Sequence, residues 1–244
     1  VELTAVCTTN PASAEEARQA LGAKLAFSDY REMVASPEID AVAVVVRVPS
    51  HYAPTKAAIE AGKHVIVEWP LGRTTAEAEE LAALARVRGV QTAVGLQARV
   101  SPPLLYMKEL IEAGYVGEVL TCHVAMLRRG GGALERTSRN TWHADAALGS
   151  NMLTISAGHT IDALRMVAGE FAKLGGMATT QVRQWYETDT KRMVDVTSPD
   201  NVMVCGQLAS GAVASVQVAT LPWAPSGYRM EIYGREGTLR VSGE

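Results

Sequence analysis

The sequence predicts an α/β protein in which a doubly wound parallel sheet is followed by an α+β domain with a mainly antiparallel sheet. Two observations lead to this fold class. Strand and helix patterns alternate four times over about the first hundred residues, which is typical of parallel βαβ units. From Lys173 onward, strand patterns follow one another through short turns. We place the domain boundary near Ala98, which gives domains 1–98 and 99–244.

The first domain begins with a β-rich run, VELTAVC, at residues 1–7. Asn10 is a predicted N-cap, and Pro11 and Gly22 are the expected first and stop positions of the following helix. The run AVAVVV at residues 41–46 predicts a parallel strand covered on both faces.

A helix is expected at residues 53–61. A strand is expected at residues 65–68, because the apolar run 65–67 stops at Glu68. The pattern Thr74-x-x-Glu77 predicts a capping box at the start of a helix whose buried face holds four residues: Ala78, Leu81, Ala82 and Ala85. A further strand is expected at residues 90–95. The side chains Glu68, Trp69 and Pro70 follow a strand directly, and ligands bind at the carboxyl ends of strands in open α/β sheets.

The second domain is predicted to contain two helices, a long strand, a polar loop and two hairpins. The expected ranges are a helix at 103–113, a strand at 118–127, a loop at 128–138, a helix at 150–167, and turns at 210–211 and 234–237.

Composition restricts the functional classes. The chain has 244 residues, 48% of them hydrophobic, and a formal charge of −3, so it has no general attraction for nucleic acid or anionic membranes. No apolar run reaches the ~18 to 20 residues of a membrane helix. Three distant cysteines, Cys7, Cys122 and Cys205, are expected to be reduced core thiols, which favours a cytoplasmic protein. No metal site is expected, because no cluster has ligand spacing.

Several short motifs together resemble one protein family. They are His51, Ala61-Gly62-Lys63-His64-Val65, Glu68-Trp69-Pro70-Leu71, Gly95-Leu96-Gln97, Arg99, Ser101-Pro102, Gly117-Glu118-Val119 and Gly158-His159-Thr160-Ile161-Asp162. In this order they are similar to the glucose-fructose oxidoreductase / inositol dehydrogenase (Gfo/Idh/MocA) family of nicotinamide enzymes, and within it to the branch of the fungal galactose-regulon repressor, a non-enzymatic relative. The resemblance implies a Rossmann-type first domain and a C-terminal substrate and oligomerisation domain.

The resemblance also implies that the first βα unit of the family, with its Gly-x-Gly-x-x-Gly turn, is missing before Val1, so we expect an N-terminally truncated fragment. The stretch Cys7-Thr8-Thr9-Asn10 holds the position where a carboxylate would bind the adenosine ribose. Because no carboxylate is present there, Thr8 and Thr9 are candidates for binding a phosphate, and NADP is favoured over NAD. The alternative is that these threonines only form the turn before Asn10.

By family likeness, Arg47 and His51 lie along a loop beside the nicotinamide, Glu68 lies near its ribose, and Gln97 lies beneath the ring. Arg47 lies between Val46 and Val48, where the family more often has Thr-Pro-Asn. The alternative for His51 is local capping or packing.

The resemblance assigns proton transfer in family enzymes to a lysine in Glu-Lys-Pro and to an Asp-x-x-x-His pair. Trp69 replaces the lysine here, and its indole offers a donor N–H and no usable base. Ile155 replaces the aspartate, so His159 is the remaining acid/base candidate. Histidine titrates near neutral pH and suits this work.

Three hypotheses remain open. The first is an NAD(P)-dependent oxidoreductase of a sugar or polyol, with His159 as acid/base and Trp69 as a wall against substrate or cofactor. The second is a catalytically silent regulator that binds dinucleotide or sugar. In the third, Trp69 is a core residue and His159 is a hydrogen-bonded helix residue, and neither has a catalytic role. We rank them in this order.

Weaker substrate-site candidates are Trp142, His143 and Asp145, of which the last two are possible replacement acid/base groups. Arg99 is expected either to contact a ligand or to tie the two domains together, and Asp162 to orient His159 or the backbone. Loop residues 128–141 are expected to set substrate identity. Apolar residues on both faces of the C-terminal sheet favour a homodimer or homotetramer.

Overall fold

The computed structural model describes residues 2–128, 135–220 and 224–243. The chain divides into two compact units, Val1–Gly95 and Leu96–Glu244. The division lies close to the predicted boundary near Ala98.

The first unit alternates short strands with helices. Its elements are β1 (Ala5–Cys7), α1 (Pro11–Leu21), β2 (Leu25–Phe27), α2 (Tyr30–Ala35), β3 (Ala41–Val44), α3 (Tyr52–Glu60), β4 (His64–Glu68), α4 (Thr75–Arg88) and β5 (Thr92–Gly95). All strand pairs are parallel, in the orders β1-β2 and β3-β4-β5. The expected Rossmann-type parallel arrangement is confirmed, although the described strands form two hydrogen-bonded groups instead of one continuous sheet.

Local capping explains where the helices begin. The Asn10 side chain accepts a hydrogen bond from the Ser13 N–H (2.8 Å), and Gly22, at φ 69°, ends α1 as predicted. At α4, the Thr74 hydroxyl accepts from the Glu77 N–H (3.2 Å). The Glu77 carboxylate accepts from the Arg73 N–H (2.7 Å), one residue before the partner that a capping box requires.

The core of the first unit lies on one side of the parallel strands. Val42 and Val44 of β3 pack in a buried cluster with Ile59 of α3 and Leu81 of α4. The prediction that β3 is covered on both faces is wrong for the described chain, because its residues alternate between buried and exposed. Strand β2 and helix α2 were not predicted, since a three-residue strand and the short helix after it show no recognisable period.

The second unit is built on a six-stranded sheet. Its elements are α5 (Pro102–Glu112), β6 (Val119–Leu127), β7 (Glu135–Arg136), α6 (Gly158–Ala168), β8 (Phe171–Thr179), β9 (Gln184–Glu187), β10 (Arg192–Asp195), β11 (Asn201–Leu208), β12 (Val213–Ala219), β13 (Gly227–Gly234) and β14 (Thr238–Gly243). The strand order is β14-β13-β6-β12-β11-β8. Every neighbouring pair is antiparallel except β6 and β12, which confirms the mainly antiparallel sheet.

Helices α5 and α6 cover one face of this sheet. Leu104 and Leu164 are buried in the same cluster as Val124, Val216 and Met230 from the central strands. Both predicted hairpins are present, between β11 and β12 and between β13 and β14.

Three predictions for this unit need correction. Glu135–Arg136 of the predicted loop 128–138 form β7 in a small sheet of order β10-β9-β7, while residues 129–134 lie outside the described residues. The predicted helix at 150–167 consists of a π-helical turn, Leu153–Ala157, followed by α6. Cys205 is exposed, so it is not a core thiol. Among the described helices, none has the length and apolar character needed to cross a membrane.

Candidate functional site

The strand-end region of the first unit, residues 45–51 and 68–70, lies at the carboxyl ends of two neighbouring strands. Because β3 and β4 are parallel, with Val44 opposite Val67, the two segments begin at the same edge of the sheet. The predicted strand 41–46 ends at Val44, and Val45 and Val46 are exposed.

His51 connects the two segments of the strand-end region. Its ring is 1% exposed; Nδ1 lies 2.8 Å from the Pro70 carbonyl oxygen and Nε2 lies 2.8 Å from the Val46 carbonyl oxygen. A neutral imidazole donates one of these bonds, and an imidazolium donates both. His51 therefore fixes backbone positions beside the predicted nicotinamide site.

The other strand-end candidates are more accessible. Glu68 is the last residue of β4 and is exposed, as is Arg47. Trp69 is half-buried and is joined to the buried Pro70 by a cis peptide bond. The strand end thus presents a carboxylate, a guanidinium and an indole at one edge.

At the end of β1, Thr8 belongs to the helix-capping turn. Its hydroxyl donates to the Asn10 carbonyl (3.0 Å) and lies 2.6 Å from the Ser13 hydroxyl, whereas Thr9 is exposed. The pKa of the nearby Cys7 thiol is raised by burial and then by the negative charges of Asp29 and Glu32. Two carboxylates therefore act electrostatically on the end of this strand.

Arg99 of the second unit forms a bidentate ion pair with Asp162 of α6. Its Nε and Nη2 atoms donate to the two carboxylate oxygens at 2.9 and 2.6 Å. The hydrogen bonds to Asp162 raise the pKa of Arg99. Both residues belong to the second unit, so this pair holds α6 to the 3₁₀ turn Gln97–Val100. Gln97, the first residue of that turn, is exposed.

His159 is half-buried and is the second residue of α6. The π-helical turn Leu153–Ala157 precedes it directly. Such turns interrupt the regular helical register and are frequent at functional sites. Ile155, four residues before His159, lies within this turn.

A cavity of about 300 Å³ lies within the second unit and is called the Arg136 cavity below. It is lined by Arg128, Arg136, His143, Asn151, Met152, Ile155, Ser156, Trp185, Ser198, Pro199, Asp200 and Thr220. Of these residues, the sequence had pointed to His143, Ile155 and those in the range 128–141. A signal for Arg128 was available, since it follows a predicted strand directly, but the other segments are far apart along the chain.

His143 is held firmly at this cavity. Its Nδ1 lies 3.1 Å from the Ser150 hydroxyl, and its ring packs on Trp142 with centroids 3.8 Å apart. The Ser198 hydroxyl donates to the His143 carbonyl at 2.6 Å. Asp145, in contrast, is exposed and accepts from the Ala147 N–H (2.9 Å). Of the two replacement acid/base candidates, His143 therefore lines the cavity and Asp145 caps a turn.

Two known families match successive parts of the chain. Residues 1–96 match the oxidoreductase family with an NAD-binding Rossmann fold, and residues 102–243 match the C-terminal domain of Gal80p.

Individual relatives fall into two groups. Dehydrogenase aclE of Aspergillus oryzae is 31% identical over 99% of this chain and 68% of its own length. The galactose/lactose metabolism regulatory protein GAL80 of Kluyveromyces lactis is 29% identical over 89% of this chain and 51% of its own length. The chain thus spans between about half and two thirds of these relatives.

Solved structures of oxidoreductases are also similar to this chain. An NAD-binding oxidoreductase from Klebsiella pneumoniae superimposes with a TM-score of 0.91 at 29% identity, covering 99% of this chain and 64% of that one. Levoglucosan dehydrogenase in complex with NADH and levoglucosan gives a TM-score of 0.89 at 28% identity, covering 98% and 64%. The chain belongs to the Gfo/Idh/MocA family of NAD-binding oxidoreductases and carries a Gal80-like C-terminal domain.

Proposed function

We propose that this protein is a nicotinamide-dependent oxidoreductase that transfers a hydride between a CH–OH group of a sugar-like substrate and the cofactor, with a histidine of the second unit as acid/base. The observation that carries the proposal is the position of His159, half-buried and directly after a π-helical turn of the core helix α6. Similarity to a dehydrogenase and to an NADH-bound sugar dehydrogenase supports it.

Oxidation of a carbinol requires a base that takes the hydroxyl proton while the hydride leaves the same carbon. Trp69 offers no basic nitrogen, so a lysine-like role is excluded at that position. His159 is our first choice for the base, and His143 at the Arg136 cavity is the second. In the reverse direction the same imidazole returns the proton to the carbonyl oxygen.

The strand-end region suits a dinucleotide. The exposed Glu68 carboxylate can accept hydrogen bonds from ribose hydroxyls, and Arg47 supplies a positive charge at the same strand edge. The nicotinamide ring, when bound, supplies the hydride acceptor. His51 contributes by holding the Val46 and Pro70 carbonyls in place.

Negative charges near β1 favour NAD as the cofactor, whereas the sequence favoured NADP. Asp29 and Glu32 act electrostatically on Cys7 at the end of this strand, and their negative charges disfavour the 2′-phosphate of NADP. The Thr8 hydroxyl is already used in the capping turn. We therefore propose NAD as the better cofactor.

The proposal is tested by following nicotinamide absorbance with the full-length protein, NAD or NADP, and a panel of pyranosides that includes levoglucosan. We expect turnover with a higher kcat/KM for NAD. His159→Ala should lower kcat by about 10²–10⁴-fold, while the exposed His64→Ala should leave it unchanged. Full activity of His159→Ala would exclude His159 as the base, and absence of turnover with dinucleotide binding intact would exclude the enzyme.

A second function, that of a catalytically silent regulator, is favoured by Trp69 and Ile155 at the positions of two proton-handling groups and by the Gal80p C-terminal match. In this case dinucleotide or sugar would bind without turnover and change the affinity for a partner protein. The double variant Trp69→Lys with Ile155→Asp distinguishes the two functions. New turnover in an otherwise silent protein would favour the regulator.

The uncovered face of the six-stranded sheet supports a homodimer or homotetramer. Met177 and Met203 lie opposite each other on β8 and β11, and Val213 lies on the same face; their exposed fractions are 59, 47 and 57%. Large exposed apolar patches mark protein interaction sites. Sedimentation equilibrium should show a smaller species for Met203→Glu than for the natural protein.

A further inference from the structure

The Arg136 cavity contains more positive than negative charge. Arg128 and Arg136 supply two guanidinium groups, whereas Asp200 supplies the one carboxylate among the described lining residues. Both Asp200 oxygens accept from the Gln181 N–H (3.0 Å each), and Oδ2 also accepts from the Val182 N–H (2.8 Å). The negative charge of Asp200 is therefore stabilised by backbone N–H groups. Within the described ranges, neither Arg128 nor Arg136 forms an ion pair with a carboxylate.

Arg136 is fixed at the wall of the cavity. Its Cζ lies 4.2 Å from the centroid of the Trp185 ring, which is 8% exposed. Cation–π stacking of this kind holds a guanidinium with its N–H edge free to donate. The carbonyl of Arg136 accepts from the Thr188 N–H at 2.9 Å, so the backbone of β7 is anchored as well.

The Nε atom of Arg136 is buried and has no hydrogen-bond partner among the described residues. Burial also lowers the pKa of this guanidinium. A buried donor without a partner costs free energy, so an acceptor that reaches this donor would lower the cost. The strongest acceptors for a guanidinium are oxyanions, because carboxylate and phosphate oxygens match its planar fork.

Arg128 provides a second cation from a different segment. It follows β6 directly, and its N–H donates to the Ala219 carbonyl of the neighbouring strand at 2.9 Å. The backbone at Arg128 is therefore tied to the sheet. The guanidinium of Arg136, the side chain of Arg128 and the ring of His143 thus line one cavity.

We propose that the Arg136 cavity binds an oxyanion, a carboxylate or a phosphate, and that the substrate of this protein is consequently an acidic sugar derivative such as a sugar acid or a sugar phosphate. The second part rests on the proposed oxidoreductase function, whereas oxyanion binding does not. Asn151 and Ser156 at the same wall provide polar groups for the neutral part of such a molecule.

Oxyanion binding is tested without turnover by recording the arginine Nε–H resonances of the full-length protein during titration with acetate or inorganic phosphate. The Arg136 resonance is assigned from its loss in Arg136→Lys. We expect it to saturate at a concentration at least tenfold lower than the resonance of Arg235, which pairs with Glu118 on the exposed surface. If acetate reaches half-saturation at the lower concentration, the site prefers a carboxylate. If phosphate does, the site prefers a phosphate. Equal responses of Arg136 and Arg235 would overturn the proposal.

Substrate class is tested by comparing D-glucuronate, glucose 6-phosphate and D-glucose in the nicotinamide assay. We expect kcat/KM to be at least tenfold higher for an acidic member, with Arg136→Gln removing this preference and Arg235→Gln retaining it. Turnover without preference for either acidic sugar would contradict the proposal of an acidic substrate but not the proposed oxidoreductase function. Saturable phosphate or acetate binding without any turnover would overturn the oxidoreductase and leave the oxyanion site.

Discussion

In both the strand-end region of the first unit and the Arg136 cavity of the second unit, a buried polar side chain holds backbone groups in place. His51, 1% exposed, faces two backbone carbonyl oxygens. Asp200, 7% exposed, accepts from two backbone N–H groups. His51 thus faces backbone acceptors in the first region, whereas Asp200 faces backbone donors in the second.

The regions differ in how far apart their parts lie along the chain. The strand-end region is confined to residues 45–70, because two consecutive parallel strands bring their ends to one sheet edge. The cavity combines segments from Arg128 to Thr220. Short-range patterns therefore locate the first region, whereas the second exists only once the whole second unit has folded.

The largest stability effect is expected for Asp200→Ala. The variant leaves the N–H groups of Gln181 and Val182 without their charged acceptor inside the protein. Hydrogen bonds to charged groups contribute about 1.5–3 kcal/mol each, so we expect the free energy of unfolding to fall by about 3–5 kcal/mol in urea titrations at neutral pH.

Asp195→Ala is the matched control, because Asp195 is exposed and accepts one bond from the Gln184 side chain. Its effect should stay within about 0.5 kcal/mol, as is usual for surface changes. Equal losses for the two variants would show that Asp200 does not anchor the cavity.

A smaller loss is expected for His51→Ala. The Val46 and Pro70 carbonyl oxygens lose the ring nitrogens that face them, and a buried acceptor without a partner costs about 1–3 kcal/mol. Water reaches the exposed Val46 segment more readily, so we expect about 2–3 kcal/mol in total. Dinucleotide affinity should fall as well, because the two segments are no longer tied together.

His64→Ala tests whether this effect is specific to His51. His64 is exposed and accepts one bond from the Gln91 N–H at 3.1 Å. Its loss should change unfolding by less than about 1 kcal/mol and leave dinucleotide binding unaltered. Unaltered dinucleotide affinity in His51→Ala would mean that the strand-end region does not depend on His51.

The fold was predictable wherever a local signal exists. Asn10, Pro11 and Gly22 bracket α1 as expected, since capping and left-handed glycine geometry are decided within a few residues. The π-helical turn at Leu153–Ala157 has no such signal, because its apolar period is close to that of an α-helix. The end of β4 at Glu68 followed from the apolar run 65–67, whereas its start at His64 lies one residue before the predicted strand.

The candidate site was predictable only in part. Thr8, Arg47, Glu68 and Trp69 lie at strand ends, as the sequence indicated. Arg136 is different, because its stacking on Trp185 joins β7 to β9 across nearly fifty residues of chain. No spacing rule connects such positions, so the sequence indicates only the range 128–141, and tertiary packing distinguishes Arg136 within it.

The smallest effect is a pH dependence that separates the two regions. Glu187 of β9, beside the cavity, is almost fully buried and accepts from Thr141, Thr190 and Arg192. These hydrogen bonds lower the pKa of Glu187 to about 2, below the ~4.3 of an unfolded glutamate. The stabilisation is therefore complete above about pH 4.5 and is lost as the pH falls toward 2.

Glu187→Gln should therefore flatten the decline of unfolding free energy between about pH 4.5 and pH 2, measured by urea titration across that window. The exposed Glu135→Gln on the neighbouring strand should keep the slope of the natural protein. The strand-end region has no comparable carboxylate anchor among its described contacts, since its buried anchor is His51. The amide of Glu187→Gln cannot bind a proton in this pH range. If the variant and the natural protein therefore lose unfolding free energy in parallel as the pH falls, other carboxylates cause the loss.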